Sequence, residues 1–208
     1  MNPILLALAA VQTAAAGPVD TPEARYRACT ELVRTAPERA VDQADAWRLQ
    51  GGGLPARMCL GLAYTALERW APAAAAFEQA ALDAEKAQDE GRADFWAQAG
   101  NSWLAAGDPA KARRAFDAAL ATALLKPELR GEVHLDRARA AVALGDEAAA
   151  RADIDKALEL VPADPFAWYL SAALARRQAD LPRAQHDIAQ AVSLAPREPS
   201  ILLEAGNI

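Results

Sequence analysis

Histidine, cysteine and methionine are nearly missing from this 208-residue chain, which has two of each. A metal centre needs several His or Cys ligands converging at short spacing. His134 and His186 stand far apart, and so do Cys29 and Cys59. No metal and no cofactor is therefore expected. The same scarcity removes most routes to catalysis: neither cysteine has a predicted base beside it, and the chain has no nucleophile elbow. Acidic residues such as Glu85, Asp89, Asp153 and Asp155 fall on faces that a solvated helix exposes, and they pick out no catalytic carboxylate pair. Surplus positive charge is also lacking, since 22 Lys and Arg face 28 Asp and Glu for a formal net charge of −6. That balance excludes the concentrated basic surface that phosphate backbones require and gives no reason to expect binding to anionic lipid. After the first residues, no stretch approaches the roughly 18 uninterrupted apolar residues of a membrane-spanning helix. β-branched residues are few and aromatics make up only 6%. What remains is dominated by alanine, with abundant Leu, Arg, Glu and Asp, a composition that favours helix and argues against sheet.

The N-terminus reads differently from the rest. Ile4 to Val11 is a short apolar run, followed by Ala14-Ala15-Ala16 and Gly17-Pro18. The run is too short to span a bilayer, has no polar face, and ends in the small residues that suit signal peptidase, so residues 1–16 are expected to be a secretory signal peptide cleaved after Ala16. The n-region departs from the usual pattern, with only the terminal amine and Asn2 where a Lys or Arg is common. No cysteine lies there to carry a lipid anchor. The expected compartment is the bacterial periplasm; without export it would be the cytoplasm. An oxidising periplasm permits a lasting disulfide between the two cysteines, and the alternative is a pair of small buried thiols.

Self-similarity organises the remainder. Leu60-Gly61-x-x-Tyr64 is followed by Trp70, Ala73, Phe77 and Ala80, and a second copy reads Trp96-x-x-Ala99-Gly100-x-x-Trp103, Gly107, Ala112, Phe116, Ala119 at matching offsets. A third runs Ala138, Gly145, Ala150, Ile154, Ala157, Pro162, and a fourth Trp168, Ala172, Ala184, Ile188, Ala191, Pro196. These spacings resemble the tetratricopeptide repeat. The resemblance implies an all-α fold, a TPR-type α-solenoid of antiparallel helical hairpins winding into a right-handed superhelix. Units start near Leu54, Ala93, Gly131 and Pro165, giving four repeats over 54–198, with a degenerate helical repeat over 17–53 and the first part of a further repeat over 199–208. The chain is expected to be a fragment, or to continue in the natural protein for at least one more helix, because an array end with an apolar face is a liability in water. The steps from Gly131 to Pro165 and from Pro165 to Pro199 are 34 residues, the length of this repeat. Earlier steps are longer, with the excess around Asp83 to Gly91 and Thr122 to Pro127, where an extended second helix or a longer turn is expected.

Small residues at Gly61, Gly100, Ala138 and Ala172 let paired helices approach, and Trp70, Phe77, Phe116, Ile154 and Ile188 fill the gaps between units. Gly51-Gly52-Gly53 is a stop between units; a phosphate loop would need a following Lys-Ser or Lys-Thr. In the resembling family the concave face of the first helices holds ligands. On that register the partner-binding groove is expected to contain Met58, Asn101, Arg139, Phe166, Tyr169 and Arg176, with Arg25, Leu62, Asp94, Glu132, Leu135, Leu203 and Asn207 also on this face. Cys29 falls at the ninth place of one first helix and Cys59 at the sixth of the next, close enough for a Cys29–Cys59 disulfide. The expected function is a scaffold or adaptor that holds a peptide or protein segment in this groove. The alternative is a structural subunit of an envelope assembly or secretion complex, using its convex face or C-terminal end.

Overall fold

The computed structural model describes residues 21–208, so the expected signal peptide over 1–16 lies outside the described residues. Alanine-rich segments punctuated by proline become helices. A proline in the first turn has no N–H to leave unsatisfied, and Pro22, Pro37, Pro109, Pro127, Pro165, Pro182 and Pro199 all sit at such starts. Among the described residues the order is α1 (Pro22–Thr35), α2 (Pro37–Leu49), α3 (Gly53–Ala66), α4 (Trp70–Ala87), α5 (Arg92–Ala105) and α6 (Pro109–Ala121). It continues with α7 (Pro127–Ala143), α8 (Glu147–Leu160), α9 (Pro165–Arg177), α10 (Leu181–Leu194) and α11 (Pro199–Ala205), with no strand. Consecutive helices pack as hairpins, and α1 also touches α3, α5 touches α7, and α9 touches α11. The two longer units have different causes. In the first, α4 extends to 18 residues; in the second, a turn over 122–126 precedes a first helix that starts at Pro127, one turn before Gly131.

The turns of the second to fifth hairpins are closed in the same way. The N–H of the residue opening the second helix reaches back to a carbonyl in the first: Arg69 to Tyr64, Asp108 to Trp103, Asp146 to Ala141 and Asp180 to Ala175, all at 2.9 Å. This closure places the preceding residue at positive φ, a backbone state open to glycine and costly for a residue with a Cβ. Gly107 and Gly145 supply it at φ 77° and 76°, whereas Glu68 and Ala179 adopt it at 55° and 58° against their preference. Asp108, Asp146 and Asp180 then cap α6, α8 and α10 by accepting backbone N–H bonds from Lys111, Ala149 and Arg183.

The core runs the length of the stack and changes character along it. In the second hairpin a Cβ added at Gly61 would stand 2.6 Å from the Phe77 ring, and in the third one at Gly100 would stand closer still to Phe116. Only glycine admits an aromatic ring against the helix backbone at these two places. In the next two repeats alanine stands at the small position, and the large residue shrinks to Ile154 beside Ala138 and Ile188 beside Ala172. The N-terminal unit is tied in covalently: Cys29 of α1 and Cys59 of α3 form a disulfide with Cα atoms 6.2 Å apart, both fully buried. Such a cross-link restricts the unfolded chain and contributes about 2–4 kcal/mol.

Candidate functional site

The first helices α5, α7 and α9 present a face of mixed chemistry. A gap lies between α7 and α9. An open cleft of about 360 Å³ occupies it, lined by Glu132, Leu135, Asp136 and Arg139 from α7 and by Phe166, Tyr169 and Leu170 from α9. Two further hollows adjoin it. One, of about 510 Å³, lies toward α5 and is bordered by Asn101, Leu104, Ala105, Asp136 and Arg139. The other is a smaller slot of about 170 Å³, floored by Ala138, Val142, Ile154, Leu170, Ala173 and Leu174, with Arg139 and Arg177 also on its wall. Arg139 borders all three.

The walls are held by side chains beneath the surface. His134 and Arg137 of α7 both bind Asp153 of α8, at 2.8 Å from His134 Nδ1 and 2.6 Å from an Arg137 guanidinium nitrogen, which fixes α7 on its hairpin partner. Burial alone would raise the Asp153 carboxyl; hydrogen bonds from His134 and Arg137 and the charge of Arg137 outweigh it and hold the group below its ordinary value. On α9, Ser171 is fully buried, donates to Asp187 of α10 and accepts from Arg151 of α8 at 2.7 Å. Above this layer, Phe166 and Tyr169 meet edge to face with ring centroids 6.5 Å apart, and Phe166 remains 46% exposed. An apolar ring held open to solvent by a neighbouring ring is a surface that gains from being covered.

The six expected groove residues divide. Arg139, Phe166 and Tyr169 line the central cleft, and Asn101 joins them through the hollow it shares with Arg139. Met58 lies elsewhere: it borders a hollow of about 420 Å³ between α1 and α3, with Tyr26, Arg27 and Pro55. It also packs against the buried cluster of Ala80, Ala81, Ala84 and Phe95 from α4 and α5. Arg176 is spent within the fold, since its Nε lies 2.7 Å from a carboxylate oxygen of Glu204, a residue only 7% exposed on α11. It fastens α11 to α9 and leaves the neighbouring Arg177 beside the slot. Sequence reasoning missed Asp136, Leu170, Ala173 and Arg177. Asp136, Leu170 and Arg177 each stand one residue past the expected Leu135, Tyr169 and Arg176, and Ala173 lies on the same helical face as Tyr169 and Arg176.

No protein-family model matches the chain, and no curated protein matches it in sequence. Solved structures do. YrrB, described as a TPR protein with an unusual peptide-binding site, superposes with a TM-score of 0.69 at 18% identity over 88% of this chain and 91% of its own. A MamA fragment from Desulfovibrio magneticus RS-1 gives 0.72 at 15% identity, covering 86% and 98%. The first TPR of Spaghetti (RPAP3), solved with an HSP90 peptide, gives 0.51 at 20% identity over 55% of this chain and 88% of that one. With the eleven helices of the described residues stacked as consecutive hairpins, the chain has a tetratricopeptide-repeat-like fold. Among the described residues no helix is long and apolar enough to cross a membrane, and no group of three or more His, Cys, Asp and Glu is placed to hold a metal ion.

Proposed function

We propose that this chain is a protein-binding scaffold whose face of first helices holds a peptide or protein segment, and that it works in the bacterial periplasm after export. The observation that carries the reading is the meeting of three hollows at Arg139, beside an exposed Phe166 and the half-buried Tyr169. That combination offers a peptide an aromatic anchor, a guanidinium with a planar donor fork, and Asn101 to bind backbone. Peptide binding by YrrB and by Spaghetti supports the class of ligand. The buried Cys29–Cys59 disulfide and the apolar run over 4–11 support an oxidising, exported location. A role without catalysis fits a surface whose buried ionisable groups are all engaged in holding helices together.

A second reading has its own observation. On α11, Leu202 and Leu203 are 46% and 70% exposed, an apolar pair suited to the contacts of a structural subunit of an envelope or secretion complex. Crosslinking and affinity purification from the native envelope separates the two. The wild type is compared with an Asn101→Ala, Arg139→Ala, Phe166→Ala variant and with a Leu202→Ser, Leu203→Ser variant, helicity being checked in each. Loss of the dominant partner in the first variant supports the groove, and loss only in the second moves the contact to the C-terminal end. A chain that is not exported in a cell-fractionation assay with residues 1–20 intact defeats the periplasmic assignment.

A further inference from the structure

Resting on the groove reading, we propose that the slot beside Arg139 is an anchor-residue pocket for a peptide in which a Leu-, Met- or Phe-sized residue stands next to an Asp or Glu. The slot is built from Ala138, Val142, Ile154, Leu170, Ala173 and Leu174, and its volume is about 170 Å³. An apolar cavity of about 150 Å³ accommodates benzene, so this slot has room for a single large apolar side chain. The floor is apolar because alanine alternates with Leu, Ile and Val. The small side chains of Ala138 and Ala173 leave the space that the larger neighbours enclose.

The charge at its edge specifies the adjoining residue. Four arginines lie near the ends of α7 and α9, and two of them are committed to buried carboxylates: Arg137 to Asp153, which is 5% exposed, and Arg176 to Glu204, which is 7% exposed. The other two are the ones bordering the slot. Arg139 is held by Asp136 three residues before it at 3.0 Å, with its side chain 58% exposed, and Arg177 by Glu147 at 3.3 Å, with its side chain 48% exposed. Their carboxylate partners Asp136 and Glu147 are 21% and 36% exposed, and partly exposed pairs of this kind are weak enough for either guanidinium to exchange its partner for an incoming carboxylate. An apolar side chain in the slot thus brings its neighbour between two exchangeable guanidiniums. Toward the start of α7 the sign reverses: Glu132 and Asp136 line the cleft, and an acidic residue placed there would be repelled. Because Arg139 also borders the two other hollows, the bound chain extends from the slot along the groove, and the carboxylate proposed here is that of an Asp or Glu side chain.

The test is selection of short random peptides, displayed internally in a carrier, on the full chain. Selected sequences are then synthesised with both ends blocked and titrated by fluorescence anisotropy. The expected result is an apolar residue adjacent to Asp or Glu in the recovered sequences. Affinity should fall about tenfold or more in Ala173→Phe, which fills the slot, and in Arg177→Glu, which reverses the charge at its edge. It should also weaken with added salt. The Arg177→Glu change is at an exposed position and keeps the test valid if Ala173→Phe fails to fold. Peptides that lose binding in Phe166→Ala yet bind Ala173→Phe and Arg177→Glu as tightly as the wild type overturn the pocket and leave the groove standing. Selection that recovers no peptide sensitive to Phe166, Arg139 or Asn101 overturns the groove reading, and the pocket with it.

Discussion

The second and third hairpins of this stack solve a packing problem with glycine and phenylalanine, and the fourth and fifth solve it with alanine and isoleucine. The separation between small and large partner is the same in all four: Gly61 and Phe77, Gly100 and Phe116, Ala138 and Ile154, Ala172 and Ile188. A methyl group has moved from one wall of the contact to the other while the ring has been traded for a branched chain. The residue before the large one changes in parallel. It is the buried Ala76 and Ala115 in the earlier pair, and the buried Asp153 and Asp187 in the later pair, each aspartate gripped by an arginine and a histidine. The earlier half is thus fastened by ring packing and, at its edge, by a disulfide; the later half is fastened by charge. A shared repeat fixes the geometry of the contact and leaves its chemistry free, and it is in the charged half that α7 and α9 part to form the cleft.

Truncating Phe116 to alanine tests the ring-packed half most severely, because Gly100 opposite offers no side chain to close the void. It should cost about 3–5 kcal/mol in chemical denaturation. Ile154→Ala should fall lower in the series, and equal losses would erase the distinction drawn between the halves. Replacing both cysteines by alanine should cost about 2–4 kcal/mol, with hydrogen exchange accelerating in α1 to α3 ahead of α7 to α10. Uniform acceleration along the stack would mean that the halves unfold as one. Gly100→Ala should destabilise by about 1–3 kcal/mol through overpacking against the ring, and Phe116→Ile in the same chain should recover part of the loss by recreating the later repeats' pairing. Strict additivity of the two changes would refute the exchange.

Acid should separate the halves by a smaller margin. Asp153 sits below its unfolded value of about 3.9, so its contribution is fully present above about pH 4 and is lost as the pH falls through the folded value. Hydrogen exchange in α7 and α8 should therefore rise on acidification before that in α3 to α6, and Asp153→Asn should remove the difference. The smallest effect concerns the turns. Ala179→Gly at φ 58° should stabilise by about 1 kcal/mol, while Gly145→Ala at φ 76° should cost a similar amount, measured as opposite shifts in thermal midpoint.

Much of the architecture was legible because repeats write the same contact several times. The starts near Leu54, Ala93 and Pro165 lie within one residue of where α3, α5 and α9 begin, since capping, proline and small-residue spacing are local rules. At the unit starting near Gly131, α7 begins a turn earlier, because Pro127 lets it nucleate as soon as the preceding turn ends. The candidate site was less legible. Arg176 and Arg177 are neighbours in sequence with the same chemistry, yet one is paired with the buried Glu204 and the other borders the slot.

From the sequence alone came the helical class, the repeat, the identity of the small and large partners and the proximity of Cys29 to Cys59, because each depends on periodicity that a linear string carries. Only the tertiary structure decided that α7 and α9 part, that three hollows meet at Arg139, that Met58 stands apart from them, and which arginines are already paired. Those outcomes depend on how far one packed helix pair displaces the next, a quantity summed over many contacts that no single stretch of sequence contains.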